Sequence, residues 1–227
     1  MKKKWVIGIT MVFIGIVIFS AAKAGAAIFI NEFLADPPNG MPGDANGDGV
    51  RNSSNDEFVE LLNMGTSSVD LSNWALSDSV RIRHVFAPGS VLSSEERLVI
   101  FGGGILNISS YTAVLASSHS LNLNNTGDQI TLRNALDQMI DQVIYGSEAG
   151  FNQSLTRFPE GSGAFAKHLT VSEAGLAFSP GADVEGRFHA IHTEAPEPGT
   201  LFLLPLPGLL LGVTKFCGRC NKIFRNR

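Results

Sequence analysis

Short apolar or alternating runs, each closed by turn-forming residues, recur along the middle of this 227-residue chain. Gly, Pro, Asn, Asp and Ser separate the runs, which lie at 27–34, 57–63, 74–77, 81–86, 97–101, 129–133 and 138–145. Runs of four to eight residues between turn signals are typical of strands, and no stretch combines a helical period with caps at both ends. The pattern therefore predicts an all-β fold and favours a β-sandwich.

Several runs also predict which side chains face the core. Trp74 and Leu76 alternate with smaller residues, so we expect both on the inner face of a sheet. Residues 98–101 are apolar at every position, which predicts a strand covered on both faces. The runs at 129–133 and 138–145 are joined by a short polar turn, and this arrangement predicts a β-hairpin.

Six motifs in a fixed order resemble a known family. They are INEFLADP at 30–37, DEFVELLN at 56–63, VDLSNWALSD at 69–78, HVF at 84–86, RLVIFGGG at 97–104 and LNLNNTGD at 121–128. Together they resemble the bacterial lamin tail domain, which implies an immunoglobulin-like β-sandwich over 28–146. The resemblance continues through QSLTR at 153–157 and FSPG at 178–181, within an extension and linker at 147–194 that bacterial members often carry.

The N-terminus has the order of parts of a secretory signal peptide. Three lysines precede an apolar segment at 5–19, and Ala22-Lys23-Ala24 follows as a cleavage site with small residues at its outer positions. We therefore predict a signal peptide at 1–24, with an uncleaved N-terminal helix as the alternative. Export from the cytoplasm follows from either form.

The C-terminus carries a second targeting pattern at 195–227. Pro196, Glu197 and Pro198 precede an apolar segment at 201–213, and a tip with five Lys and Arg residues follows. This order resembles the PEP-CTERM sorting signal of Gram-negative bacteria, which implies transient anchoring at the inner membrane and cleavage by an exosortase. The prolines keep the motif extended, and the basic tip stays on the cytoplasmic side. The alternative is a single-pass tail that is never removed.

The part between the two ends is strongly acidic. Residues 25–198 hold eight Lys and Arg against 21 Asp and Glu, a net charge of −13. Such a surface repels phosphate backbones, so we expect no nucleic-acid partner. Both cysteines, Cys217 and Cys220, lie in the basic tip, and the exported part must fold without a disulfide.

One motif predicts a metal site. Asp44, Asn46 and Asp48 alternate along DANGDG at 44–49, which matches the first half of a calcium-binding loop. In that pattern the carbonyl of Val50 occupies the seventh position, and Asp56 closes the site because the twelfth position is an asparagine. Calcium is therefore the predicted cofactor, in a loop between strands. The alternative is an ordinary polar turn.

No catalytic motif stands out in the exported part, since it has no cysteine nucleophile, no G-x-S-x-G and no H-E-x-x-H. Glu57 and Glu60 flank one strand, as acids do in glycosidases, but we interpret them as surface acids.

The expected function is a non-enzymatic β-sandwich of the cell surface or extracellular matrix, and the PEP-CTERM resemblance implies exopolysaccharide or surface-layer components as partners. Two alternatives remain: a secreted calcium-dependent hydrolase of the kind associated with nucleases or phosphatases, and a carbohydrate-binding module.

Overall fold

Residues 28–188 are described by a computed structural model. They form an all-β fold, as the short apolar runs between turn-forming residues predict. The strands are β1 (Ile28–Leu34), β2 (Phe58–Asn63), β3 (Val69–Asp70), β4 (Ala75–Ser77), β5 (Ile82–Val85), β6 (Val91–Leu92), β7 (Arg97–Phe101), β8 (Thr112–Leu115), β9 (Asp128–Arg133), β10 (Met139–Tyr145), β11 (Leu155–Phe158) and β12 (Ala164–Lys167). In this part the helical elements are a four-residue helix, α1 (His168–Val171), and two short 3₁₀ turns.

The two predicted targeting segments lie outside the described residues. They are the signal peptide at 1–24 and the sorting segment at 195–227 with Pro196, Glu197, Pro198 and the apolar run at 201–213. Within 28–188, no helix is long and apolar enough to span a membrane.

Two sheets form the sandwich. The larger sheet has six strands in the order β12-β11-β1-β2-β7-β8, and the smaller has four in the order β10-β9-β4-β5. A separate two-stranded ribbon pairs β3 with β6. Neighbouring strands are antiparallel except β7 and β8, which run parallel. The predicted hairpin is confirmed, because β9 and β10 pair antiparallel with Val143 opposite Ile130.

The main core fills the space between the sheets. It contains side chains from the larger sheet, such as Ile30, Leu61 and Ile100, and from the smaller sheet, such as Leu132 and Val143. Trp74 and Leu76 belong to this core, so their predicted inner-face position is confirmed.

A second core covers the opposite face of the six-stranded sheet. Leu34, Phe58, Val99 and Phe101 are buried there, under side chains from the loop before β8 and from the chain after α1, including Phe178. In β7, Leu98 and Ile100 therefore face the main core while Val99 and Phe101 face the second core. The prediction of a strand covered on both faces is confirmed.

Candidate functional site

The predicted calcium loop, residues 44–56, joins β1 to β2 and packs on the glycine-rich turn after β7. The side-chain amide of Asn46 donates to the carbonyl of Gly103 at 3.1 Å, and Asn46 is fully buried. A Cβ at Gly104 would lie 2.4 Å from Nδ2 of Asn46. The turn at 102–104 therefore needs small residues because the loop lies directly against it.

Side-chain oxygens turn inward at the start of this loop. The backbone N–H of Asp48 donates to Oδ1 of Asp44 at 3.1 Å and to Oδ1 of Asn46 at 3.0 Å, so these two oxygens lie side by side. The N–H of Gly49 donates to the other oxygen of Asp44 at 2.8 Å. Gly49 has a φ of 86°, a backbone conformation that favours glycine and that the sharp turn requires.

Asp56 closes the loop from its far end. Its carboxylate is fully buried and accepts the N–H of Asn46 at 3.1 Å and the N–H of Asn52 at 2.6 Å. Burial raises the pKa of Asp56 above its ordinary value and the carboxylate of Asp44 adds to this, while the backbone donors act in the opposite direction. Of the ligands predicted from the sequence, Asp44 and Asn46 thus share the N–H of Asp48 through their side-chain oxygens, and Asp56 contacts Asn46 through the backbone N–H of Asn46.

Asp48 and Val50 lie at the outer edge of the loop. Oδ1 of Asp48 accepts the N–H of Val50 at 2.8 Å, and Oδ2 accepts the N–H of Ile105 at 3.3 Å. Across residues 28–188, no three His, Cys, Asp or Glu side chains converge closely enough to hold a metal ion.

The oxygen atoms of the loop are of the chemical kinds that calcium binds. They are carboxylate, amide and carbonyl oxygens, and each carboxylate oxygen that accepts one N–H keeps a further lone pair.

The interpretation of Glu57 and Glu60 as surface acids is wrong. Both are buried, and they lie in different surroundings. Glu57 accepts the N–H of Leu123, and burial raises its pKa to about 8. Glu60 points into the second core instead, so the two carboxylates do not form a catalytic pair.

Glu60 belongs to a buried polar cluster on the outer face of the six-stranded sheet. Its cross-strand neighbour is Glu32 on β1, which is also buried. Oε1 of Glu60 accepts the side-chain N–H of Asn31 at 2.9 Å and lies 3.4 Å from Nε of Arg97. Burial and the charge of Glu32 raise the pKa of Glu60 to about 8, against the opposing effect of Arg97.

The cluster is sealed by the chain that follows α1, residues 172–188, which we name the strap. Ser179 donates its N–H to Oε1 of Glu32 at 2.9 Å and its hydroxyl to Oε2 at 3.0 Å. The N–H of Gly181 donates to Oε2 of Glu60 at 2.7 Å. Glu160, which pairs with Arg97, accepts the N–H of Val184 at 3.0 Å. Carboxylates therefore hold the strap at residues 179–184, and the N–H of Ser154, just before β11, donates to the carbonyl of Ala177 at 2.9 Å.

Sequence reasoning did not find this cluster. Glu32 and Glu60 lie inside two of the family motifs, but their burial depends on a segment more than 100 residues away. The one available signal was the small, turn-forming Ser-Pro-Gly sequence at 179–181.

Aromatic residues give little support to sugar binding by the described part. Trp74 and Tyr145 are buried in the main core. The exposed aromatic side chains within 28–188 are Phe151, Phe158 and Phe188.

Two packed sheets with a shared core and short connections define an immunoglobulin-like β-sandwich. Residues 21–147 match the model of one family with this architecture, the Lamin Tail Domain. Because the match covers more than half of the 227 residues, the chain belongs to the lamin tail domain family. No curated protein matches the chain. The family match ends just after β10, so β11, β12 and the strap lie beyond it.

Proposed function

We propose that this chain is an exported, non-enzymatic β-sandwich of the cell surface or extracellular matrix of a Gram-negative bacterium. Membership of the lamin tail domain family supports a structural or binding role rather than a catalytic one. The signal-peptide pattern at 1–24 supports export, and the motif at 196–198 supports transient inner-membrane anchoring and release by an exosortase. Its partners are then exopolysaccharide or surface-layer components.

We further propose that calcium stabilises this domain at the loop 44–56. The observation that carries the proposal is the close approach of two side-chain oxygens at the start of the loop. Oδ1 of Asp44 and Oδ1 of Asn46 both accept the N–H of Asp48. The ligands are the side chains of Asp44, Asn46, Asp48 and Asp56 with the carbonyl of Val50. Binding requires Oδ2 of Asp48 to turn from the N–H of Ile105 towards the other donors. Calcium tolerates such irregular sets of six to eight oxygen ligands.

Thermal unfolding in calcium tests this role. Without a bidentate Glu at its end, the loop should bind calcium weakly, with a Kd of roughly 10⁻⁴–10⁻³ M as in extracellular modules. At a free calcium concentration of about ten times Kd, binding should stabilise the fold by about 1.4 kcal/mol. For a domain of this size that is a rise in Tm of about 3–6 °C. Magnesium should substitute poorly because it demands a tighter octahedron.

Two double variants separate calcium binding from a general effect of charge. Asp44→Ala with Asp48→Ala should abolish the rise in Tm. Asp70→Ala with Glu173→Ala removes the same charge from exposed positions outside the loop and should keep the rise. Identical melting curves in calcium and in chelator, for the wild type and both variants, would contradict the calcium proposal and leave the loop as a turn.

A further inference from the structure

Three backbone amides of the strap donate to carboxylates rather than to carbonyl oxygens. Two of the accepting residues, Glu32 and Glu60, are buried on the six-stranded sheet, and the third, Glu160, is half-buried in the turn after β11. The pairs are Ser179 with Glu32 at 2.9 Å, Gly181 with Glu60 at 2.7 Å and Val184 with Glu160 at 3.0 Å. Closure of the strap therefore depends on the charge state of the groups beneath it.

The contacts of His168 fix how many protons the closed strap holds. Nδ1 of His168 lies 2.8 Å from the carbonyl oxygen of Leu176, which only accepts, so Nδ1 carries a hydrogen. Nε2 lies 2.8 Å from the hydroxyl oxygen of Ser179, and that oxygen lies 3.0 Å from Oε2 of Glu32. A serine hydroxyl has one hydrogen and can donate in only one of these two contacts.

One more hydrogen is therefore needed to complete the chain from His168 through Ser179 to Glu32. It lies either on Nε2 of His168 or on Oε2 of Glu32, and both positions give the same total. A neutral histidine and an ionised glutamate in water, the usual forms above about pH 6.5, hold one proton fewer.

We propose that His168, Ser179 and Glu32 form a proton-dependent latch, which holds the strap closed while the shared proton is present and releases it as the pH rises. Loss of the proton leaves two lone pairs facing each other inside a buried contact. The open strap lets water solvate both groups, so deprotonation favours opening. Since the closed state binds more protons, its advantage over the open state shrinks with rising pH.

Burial and the charge of Glu32 raise the pKa of Glu60 to about 8 in the closed state, whereas the N–H of Gly181 in the strap lowers it. The contribution of burial to closure is full below about pH 4.5 and is lost as the pH rises through 8, and the bond from Gly181 opposes it. The other charged and titratable groups that face the latch come from four elements or connections. They are Arg97 on β7, Glu160 in the turn after β11, Tyr111 before β8 and Asp183 in the strap itself.

Opening the strap also changes what the surface presents. Phe178 of the strap packs on Phe58, with ring centroids 6.2 Å apart, and Phe58 packs on Phe101 at 5.7 Å. An open strap therefore uncovers an apolar face of the six-stranded sheet beside the carboxylates of Glu32 and Glu60. In the closed state this second core stays buried.

Amide hydrogen exchange of the full chain in mild detergent, read by mass spectrometry over residues 177–184, measures the opening directly. After correction for the intrinsic pH dependence of exchange, the opening constant should rise about tenfold per pH unit for each proton lost. We expect at least a tenfold rise between pH 6.5 and pH 8.5. An opening constant that stays level over this range would overturn the latch.

Three variants test which groups carry the proton. In Glu32→Gln the amide donates permanently to Ser179, which then donates to a neutral His168, so the pH slope should fall by about one proton. Ser179→Ala breaks the same chain and should lower the slope equally. Asp141→Asn, a change in a half-buried acid paired with Arg157 outside the latch, should keep the wild-type slope. An unchanged slope in both Glu32→Gln and Ser179→Ala, or an equal loss in Asp141→Asn, would refute the assignment.

Discussion

Trp74 shows how much a single side chain contributes to this fold. It lies just before β4, is 93 % shielded from solvent and packs in the core between the two sheets. Trp74→Ala should lower the free energy of unfolding by about 3–5 kcal/mol, because the loss of a large buried side chain leaves a cavity. Chemical denaturation followed by circular dichroism measures this change.

Ile144 on β10 provides the comparison, since its side chain is largely exposed. Ile144→Ala should change the free energy of unfolding by no more than about 0.5 kcal/mol. A Trp74→Ala cost below about 1 kcal/mol would show that the inner-face assignment is wrong.

Individual residues also show which buried positions the sequence predicts and which it does not. The alternation around Trp74 and Leu76 predicts their burial because both lie on a face that the paired sheet covers locally. Alternation along β2 places Glu60 on the outer face of its sheet. In a sandwich whose sheets are buried on one side only, that face is exposed to solvent. The burial of Glu60 results from the strap, whose Gly181 lies 121 positions further along the chain. No periodicity within β2 carries that information.

At the scale of elements, the strap depends on the backbone conformation of one glycine. Gly181 has a φ of 78°, and a Cβ added there would lie 2.0 Å from the ring of Tyr111. Gly181→Ala should therefore destabilise the fold by about 2–4 kcal/mol, through left-handed strain together with displacement of the ring. Gly175 has a φ of 69° but no neighbour within 4 Å of its added Cβ. Gly175→Ala should show the backbone strain alone, at about 1 kcal/mol.

Denaturant midpoints and slopes of the two variants separate these contributions. If Gly181→Ala costs no more than Gly175→Ala, the contact between the strap and Tyr111 does not constrain the fold.

The elements themselves were predictable to different degrees. The hairpin of β9 and β10 follows from two runs with a turn between them. The parallel pairing of β8 with β7 does not, since strand direction in a sheet depends on the path of the intervening loop. The predicted calcium loop is a similar case. Sequence spacing indicates which residues carry oxygen ligands, whereas the hydrogen bond that the N–H of Ile105 donates to Asp48 arises from packing against the turn after β7.

At the scale of the whole molecule, the two ends and the domain between them differ in charge and polarity. The net charge of −13 belongs to residues 25–198, while the lysines of the first 24 residues and the basic tip offset it in the full chain, which has a net charge of −4. On the proposed function, both ends are removed during export and sorting. The released domain is then a strongly acidic β-sandwich whose surface attracts cations such as calcium.

The mass of the protein isolated from its native cell surface tests this account most directly. Intact-mass spectrometry should give a species that begins near Gly25 and ends near Pro198, without Cys217 and Cys220. In a host that lacks an exosortase, the C-terminal segment should remain and hold the protein at the inner membrane. A native surface species that still carries both cysteines would contradict the proposal that the chain is exported and released by sorting.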